Sequence, residues 1–115
     1  MKTRDAVQAL AALAQETRLA VYRELVQAGP QGVAAGDLAQ RLKAANATLS
    51  FHLKELTHAG LISARQEGRF IYYEANYKAM TSLLGYLTEN CCQGNVCGVE
   101  CAPSKLPASQ KRRSA

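Results

Sequence analysis

The sequence predicts a mainly α-helical domain that carries one small β-hairpin. Apolar residues recur at spacings of three and four through most of the chain, which is typical of amphipathic helices. Residues 62–74 break this pattern, because β-rich runs flank the turn signal Glu67-Gly68-Arg69. A chain of 115 residues with 48% hydrophobic content fits one compact domain with a small core.

Three helices are predicted before the middle of the chain. The first runs from Thr3 to about Ala14 and the second from about Glu16 to Gln27, where Gly29-Pro30 ends it. A short loop containing Gly32 leads to the third helix, roughly Gly36–Leu42. The apolar positions of all three indicate one buried face each, and none of the three carries residues for chemistry.

A fourth helix, from Ala45 to Leu61 with Gly60 as its stop signal, has an unusual outer face. Its inner stripe is apolar, and its outer face holds small polar groups, one aromatic ring and one cation instead of several charges. Such a face suits a DNA major groove about 12 Å wide. The inner residues are Leu49, Leu53 and Leu56, and the outer ones are Ala47, Ser50, Phe51 and Lys54.

The third and fourth helices, joined by a tight turn, form a helix-turn-helix, and the following hairpin is a wing. The predicted fold is therefore a winged helix-turn-helix. Arg65 and Arg69 lie where a wing would meet phosphates or the adjacent minor groove, although such arginines are often only solubilising edge charges.

The fourth helix and the wing supply the predicted DNA contacts. Base edges are assigned to Thr48, Ser50 and Phe51, the last through a thymine methyl group, and phosphates to Lys54, Arg65 and Arg69. Asn46 is a further candidate, with capping of the helix as its alternative role. His52 is expected to face the DNA backbone, and His58 to be solvated near the helix end. The DNA-binding set is Asn46, Thr48, Ser50, Phe51, His52, Lys54, Arg65 and Arg69.

A last helix begins at Asn76, which can cap it, and runs to about Asn90. Together with the first helix it has more apolar surface than a small winged-helix core uses. We therefore expect a homodimer through the N- and C-terminal helices, with burial inside one protomer as the alternative. The predicted interface residues are Val7, Leu10, Tyr77, Met80, Leu83, Leu84 and Leu87.

These motifs together resemble the ArsR/SmtB family of winged-helix, metal-responsive repressors over about residues 3–90. The resemblance implies a homodimer that binds operator DNA and leaves it when an inducer binds. It is carried by Arg18-Leu19, Asp37-Leu38-Ala39, Leu49-Ser50-Phe51-His52-Leu53-Lys54-Glu55-Leu56, Ala59-Gly60-Leu61, Glu67-Gly68-Arg69 and Tyr72-Tyr73. Separately, an enzyme is not expected, because the sequence has no nucleophile elbow, phosphate loop or paired-carboxylate pattern.

All four cysteines lie after the last helix, between Cys91 and Cys101. Clustered thiols in a cytosolic chain indicate metal or redox chemistry, and thiolate selects soft ions. Cys91, Cys92 and Cys97 suit the three-coordinate geometry of trivalent arsenic or antimony, As(III) or Sb(III). Cys101 can be a spare, a substitute third ligand or the fourth ligand of a zinc or cadmium site. Reversible disulfide formation is the main rival interpretation.

Comparison with the family, position by position, narrows the choice of inducer site that the resemblance implies. The family's Cys-Val-Cys arsenic site precedes the third helix, but residues 33–37 contain no thiol. Its zinc sites use Asp and His on the last helix, and residues 77–90 contain neither. A third variant has a Cys-Cys pair and a further Cys after the last helix. Likeness to that variant implies arsenite binding by Cys91, Cys92 and Cys97.

Charge and composition define the rest of the organisation. The net charge is +5, but the acid-free tail after Pro103 supplies most of it, leaving about +1 for the rest. We expect residues 1–90 to bind DNA and dimerise, residues 91–101 to bind the inducer, and residues 102–115 to form a basic flexible tail. Without a membrane span or a signal-peptide core, the chain is expected in the cytoplasm. A zinc-stapled interaction module without DNA binding is the other alternative.

Overall fold

The computed structural model describes residues 1–94, which form five α-helices and one three-stranded antiparallel sheet. None of the helices in this range is long and apolar enough to cross a bilayer. In chain order, the elements are α1 (Thr3–Leu13), α2 (Glu16–Ala28), β1 (Val33–Ala34), α3 (Ala35–Leu42), α4 (Asn46–His58), β2 (Ile62–Glu67), β3 (Phe70–Ala75), α5 (Tyr77–Leu87) and a short 3₁₀ turn (Cys91–Gly94).

Side-chain caps fix the starts of two helices. The Gln15 carboxamide oxygen accepts a hydrogen bond from the Arg18 backbone N–H at 2.9 Å, at the start of α2. The Asn76 side chain accepts one from the Ala79 N–H at 3.1 Å, at the start of α5. These bonds satisfy backbone donors that a helix leaves unpaired in its first turn. The predicted capping role of Asn76 is confirmed.

The core lies between α2, α3, α4 and the sheet. The inner stripe predicted for α4 is confirmed, because Leu49, Leu53 and Leu56 are all buried. The largest fully buried side chains are Leu25, Leu38, Leu49, Leu56, Leu61 and Val21.

The hairpin forms where the sequence predicts it. β2 and β3 pair from Ile62 opposite Ala75 to Glu67 opposite Phe70, and Gly68 makes the turn with a positive φ of 65°. The structure adds one strand that the sequence does not predict. Val33 and Ala34, expected in a loop, pair with Tyr73 and Tyr72 as β1 at the edge of the sheet. Two residues are too few to show a strand alternation.

The predicted and observed helix boundaries differ by one to three residues, most at the ends of α4 and α5. α4 ends at His58 and not at Leu61, since the chain turns at Gly60, where φ is 79°. α5 ends at Leu87 and not near Asn90. α3 begins one residue earlier than expected, at Ala35. Periodicity locates a helix better than it locates the helix ends, which turn chemistry decides.

Gly32 is predicted to be essential for closing β1 onto the sheet. Its φ is +78°, and a Cβ at this position would lie 2.7 Å from the Tyr73 carbonyl oxygen. Gly32→Ala should therefore lower the free energy of unfolding by about 2–4 kcal/mol, from backbone strain and overpacking. Gly36→Ala is the matched control, because Gly36 lies in α3 with open space around it, and should change stability by less than about 1 kcal/mol. Equal urea midpoints for the two variants would contradict this role.

Candidate DNA-binding face and thiol site

The outer face of α4 is open to solvent along its length. Asn46, Thr48, Ser50, Phe51 and Lys54 are all exposed, as the helical spacing predicts. Phe51 is 55% exposed, which is a large fraction for an aromatic side chain. α4 thus presents a row of short polar groups, one ring and one cation.

Asn46 does not cap α4. The residue at the N-cap position is Ala45, which has no side-chain hydrogen bond to make, and Asn46 is the first helical residue. The capping alternative for Asn46 is therefore wrong. Its exposed carboxamide stays available to a ligand of the helix.

The two wing arginines differ in their surroundings. Arg65 donates to Glu67 at 2.6 Å and to the Gln31 carbonyl oxygen at 2.7 Å, and it lies 3.7 Å from a Glu74 carboxylate oxygen. The Glu67 hydrogen bond and the nearby carboxylates raise the pKa of Arg65, so this group stays charged. Arg69 lies exposed in the turn of the hairpin.

His52 lies in the interior and not on the DNA-facing side. It is 8% exposed, and its Nδ1 lies 3.3 Å from an Arg18 guanidinium nitrogen. The expectation that it faces the DNA backbone therefore does not match this conformation. A signal was present in the sequence, because His52 occupies the same helical stripe as Leu49, Leu53 and Leu56.

Two adjacent cysteines, Cys91 and Cys92, lie in the short 3₁₀ turn that follows α5. The chain takes positive φ values at Asn90 (57°), Cys92 (55°) and Gln93 (57°), so it turns sharply there. In this turn the Sγ atoms of Cys91 and Cys92 are 3.8 Å apart. Cys92 is exposed and Cys91 half-buried. Cys97 and Cys101 lie outside the described residues.

Tyr22 is a buried group of the interior that the sequence does not single out. Its hydroxyl lies in the core and has no hydrogen-bond partner within residues 1–94. Burial and the nearby Tyr77 raise the pKa of Tyr22, so the phenol stays neutral. No role in the candidate site follows from it.

Apolar residues remain exposed on α1, α2 and α5. Val7 and Leu10 on α1 and Leu84 and Leu87 on α5 are exposed, as is Leu19 on α2. Leu19 and Leu84 also border an apolar groove of ≈ 330 Å³ whose lining includes Met80 and Leu83. Within one protomer, however, Leu83 is buried and the Tyr77 hydroxyl donates to the Val26 carbonyl oxygen at 3.0 Å. These two predicted interface residues therefore contribute to the protomer's own core.

Known proteins have a similar fold and related sequences. A helix-turn-helix domain family model matches residues 13–64. The arsenical resistance operon repressor of Bacillus subtilis is 37% identical over 81 residues, which cover 70% of this chain and 73% of that protein. The structure of an ArsR-like transcriptional regulator from Rhodococcus sp. RHA1 superposes with a TM-score of 0.69 at 27% identity, covering 79% of this chain and 83% of that one.

The chain belongs to the ArsR family. ArsR-family proteins are winged helix-turn-helix transcriptional regulators and not enzymes, so the family and the fold class predicted from the sequence are both confirmed. The family also contains regulators of other kinds. The transcriptional activator HlyU of Vibrio cholerae is 30% identical over 90 residues, 78% of this chain and 81% of that protein.

The described part of this ArsR-family chain has no preformed metal site of its own. Within residues 1–94, no three His, Cys, Asp or Glu side chains come together in a group that could hold a metal ion. This agrees with the lack of a thiol in residues 33–37 and of Asp or His in residues 77–90.

Proposed function

We propose that this chain is a repressor that binds operator DNA as a homodimer and releases it when arsenite, or trivalent antimony, binds a three-cysteine site. The observation that carries the proposal is the pair of adjacent cysteines, Cys91 and Cys92, whose Sγ atoms are 3.8 Å apart in the turn that follows α5. The third ligand is assigned to Cys97, with Cys101 as a possible substitute. The name of the Bacillus subtilis relative supports the arsenical inducer.

The thiol pair fits a soft ion. Thiolate sulfur is the ligand that such ions select among protein groups. An ion bonded to two sulfurs at about 2.3 Å, the length of a zinc–thiolate bond, can bridge sulfurs up to about 4.6 Å apart. The 3.8 Å separation of the Cys91 and Cys92 Sγ atoms lies within that reach. Cys92 is disulfide-bonded in the structure, so the proposal applies to the reduced protein.

The outer face of α4 is assigned to the major groove. Thr48, Ser50 and Phe51 are placed to meet base edges, and Asn46 at the helix start can reach a base or a phosphate. Lys54 and Arg69, both exposed, are assigned to phosphates. Arg65 holds the wing through its carboxylate partners and can contact a phosphate only with the part of the guanidinium that these leave free.

Neutralising a phosphate contact should lower the salt dependence of binding without changing sequence preference. Lys54→Gln and Arg69→Gln should each reduce the slope of log K against log salt concentration by about 0.9 per protomer, and so by about 1.8 for the bound dimer. Lys78→Gln removes the same charge from α5, outside α4 and the wing, and serves as the control with an unchanged slope. Fluorescence anisotropy on labelled duplex DNA measures all three. Equal slopes for Lys54→Gln and the control would remove Lys54 from the interface.

The exposed apolar residues of α1 and α5 are assigned to the dimer interface. Val7, Leu10, Leu84 and Leu87 would otherwise leave a hydrophobic surface in water. Met80 is half-buried beside them, whereas Leu83 and Tyr77 support the interface from beneath. A second copy placed here brings both copies of α4 to one DNA duplex.

The route from the thiols to the DNA then passes through α1 and α5. The Tyr86 hydroxyl near the end of α5 shares a hydrogen bond with the Thr3 hydroxyl at the start of α1. An ion that draws the chain after α5 toward Cys91 and Cys92 would reshape this end of both interface helices. Because two linked half-sites lie about 34 Å apart, a small change in the spacing of the two copies of α4 weakens binding.

These roles divide the chain into three parts. Residues 1–90 bind DNA and dimerise, residues 91–101 bind the inducer, and the basic residues 102–115 add nonspecific attraction to DNA at most. The charge of the tail makes this last contribution dependent on salt.

A redox-responsive regulator is the second candidate function, favoured by the disulfide bond at Cys92. Oxidation of two thiols to a disulfide releases two electrons and two protons to an oxidant such as peroxide. Release of DNA by peroxide, reversed by dithiothreitol and needing no ion, would support this candidate. Arsenite, in contrast, requires the thiols to be reduced.

A reporter gene placed behind the promoter of the protein's own gene tests the function in cells. With the protein present, expression should be low and should rise on addition of arsenite. Expression that stays high in the presence of the protein would contradict repression, and low expression that ignores arsenite would contradict the inducer. Expression raised by the protein itself would indicate an activator, as the name of the Vibrio cholerae relative describes that protein.

A further inference from the structure

Among residues 1–94, His52 is the one basic side chain that is buried in the core. It lies on α4, the helix assigned to DNA, but on the side that faces α1 and α2. Burying an imidazole requires a hydrogen-bond partner to offset the loss of water. That partner is Arg18, which lies 34 positions earlier in the sequence.

Arg18 connects three helices. From α2, its Nε donates to the Ala12 carbonyl oxygen in α1 at 2.7 Å, and its Nη1 lies 3.3 Å from the His52 Nδ1 in α4. A guanidinium has donors and no acceptor, so Nδ1 must accept in this contact. His52 is therefore neutral in this arrangement and carries its proton on Nε2.

The His52 ring also contacts a residue of the DNA-facing side. The Phe51 and His52 rings meet edge to face, with centroids 5.5 Å apart and an angle of 63° between the planes. Phe51 is exposed on the outer face of α4. A shift of the His52 ring therefore changes the surface against which the Phe51 ring rests.

We propose that Arg18 and His52 form a positioning pair that holds α4 at the angle required for operator binding, without touching DNA themselves. The proposal rests on the proposed DNA-binding role of α4. Removing either side chain removes the contact between α2 and α4, so operator affinity falls in variants that lack one member of the pair.

Other groups beside Arg18 must be separated from this effect. The cleft that Arg18 lines is bordered by Glu55 and His58 of α4, whereas α1 contributes only the uncharged Gln8, Ala11 and Ala12 there. His58 is exposed. His58→Asn is therefore the matched control on the same helix, and it should leave operator affinity unchanged.

Three substitutions test the pair in the reduced full-length chain. Arg18→Met keeps an unbranched stem but removes the donors, and His52→Leu removes the acceptor. His52→Asn keeps an oxygen acceptor near the position of Nδ1. Operator affinity is measured by anisotropy at about pH 8, with thermal unfolding recorded for each variant.

We expect Arg18→Met and His52→Leu each to weaken operator binding about tenfold at pH 8, in line with the loss of a hydrogen bond to a charged group. The double variant should bind no more weakly than Arg18→Met, because that variant already removes the contact with His52. His52→Asn should bind within about threefold of the parent, because its oxygen can accept from Arg18.

The outcomes separate this proposal from the proposed function. If the parent binds the operator and all three variants bind it equally well, the positioning pair is wrong and the DNA-binding role stands. If the losses of the two single variants add, or if His52→Asn binds the operator as weakly as His52→Leu, the pair is likewise wrong. If the parent shows no salt-dependent operator binding, both proposals fail.

Discussion

Replacing Cys92 with serine should leave operator binding intact and abolish its release by arsenite. Serine keeps the size and the exposed position of the side chain but supplies a hard oxygen in place of a soft sulfur. Without this ligand the coupling between inducer and DNA, about 1–3 kcal/mol in typical allosteric proteins, should vanish, which removes a change in affinity of about 5- to 150-fold. Anisotropy of labelled operator, titrated with arsenite under reducing conditions, measures the effect.

Two further cysteine variants make this test specific. Cys97→Ser should behave like Cys92→Ser, whereas Cys101→Ser should still release DNA if Cys97 is the third ligand. The reverse pattern would assign the third ligand to Cys101. Full release of Cys92→Ser by arsenite would show that the inducer site lies elsewhere.

Placing a charge on the exposed apolar part of α5 should abolish operator binding by separating the dimer. Leu84 and Leu87 are 43% and 54% exposed in the protomer, so Leu84→Asp and Leu87→Asp should fold. An unpaired carboxylate buried in an apolar interface is costly, and loss of the linked second half-site should lower operator affinity by about 10²–10⁴-fold. Sedimentation and anisotropy on the same samples give the oligomeric state and the affinity.

A substitution on the wing controls for the change in surface charge. Ile71 is 42% exposed, close to the value for Leu84, but it lies on β3. Ile71→Asp should therefore remain dimeric. A Leu84→Asp, Leu87→Asp double variant that sediments as a dimer would contradict the assigned interface.

The helices and the hairpin could be predicted because each depends on a local pattern. Leu49, Leu53 and Leu56 recur at helical spacing, and Gly68 provides the turn. β1 could not be predicted, since two residues carry no period and their pairing with Tyr72 and Tyr73 is formed across the chain. The same limit applies to Arg65, whose carboxylate partners are fixed by the register of the hairpin.

The outer face of α4 could be predicted from the sequence, whereas the contacts on its inner face could not. Periodicity alone orients Ser50, Phe51 and Lys54 outward, so the outer face of α4 follows from the sequence. The interior position of His52 depends on Arg18, a contact between residues far apart in the chain. Periodicity places His52 beside the apolar stripe of α4, but it does not show that Arg18 lies next to the ring. The proximity of Cys91 and Cys92 follows from their adjacency, whereas the third ligand depends on chain outside the described residues.

The most direct test of the central claim is an arsenite titration of the reduced protein bound to duplex DNA from upstream of its own gene. We expect loss of the complex at about one arsenite per protomer. We expect no loss with zinc at the same concentration, and no loss with arsenite in the Cys92→Ser variant. A complex that persists through excess arsenite but dissociates with peroxide or zinc would contradict the arsenite-responsive repressor proposed here.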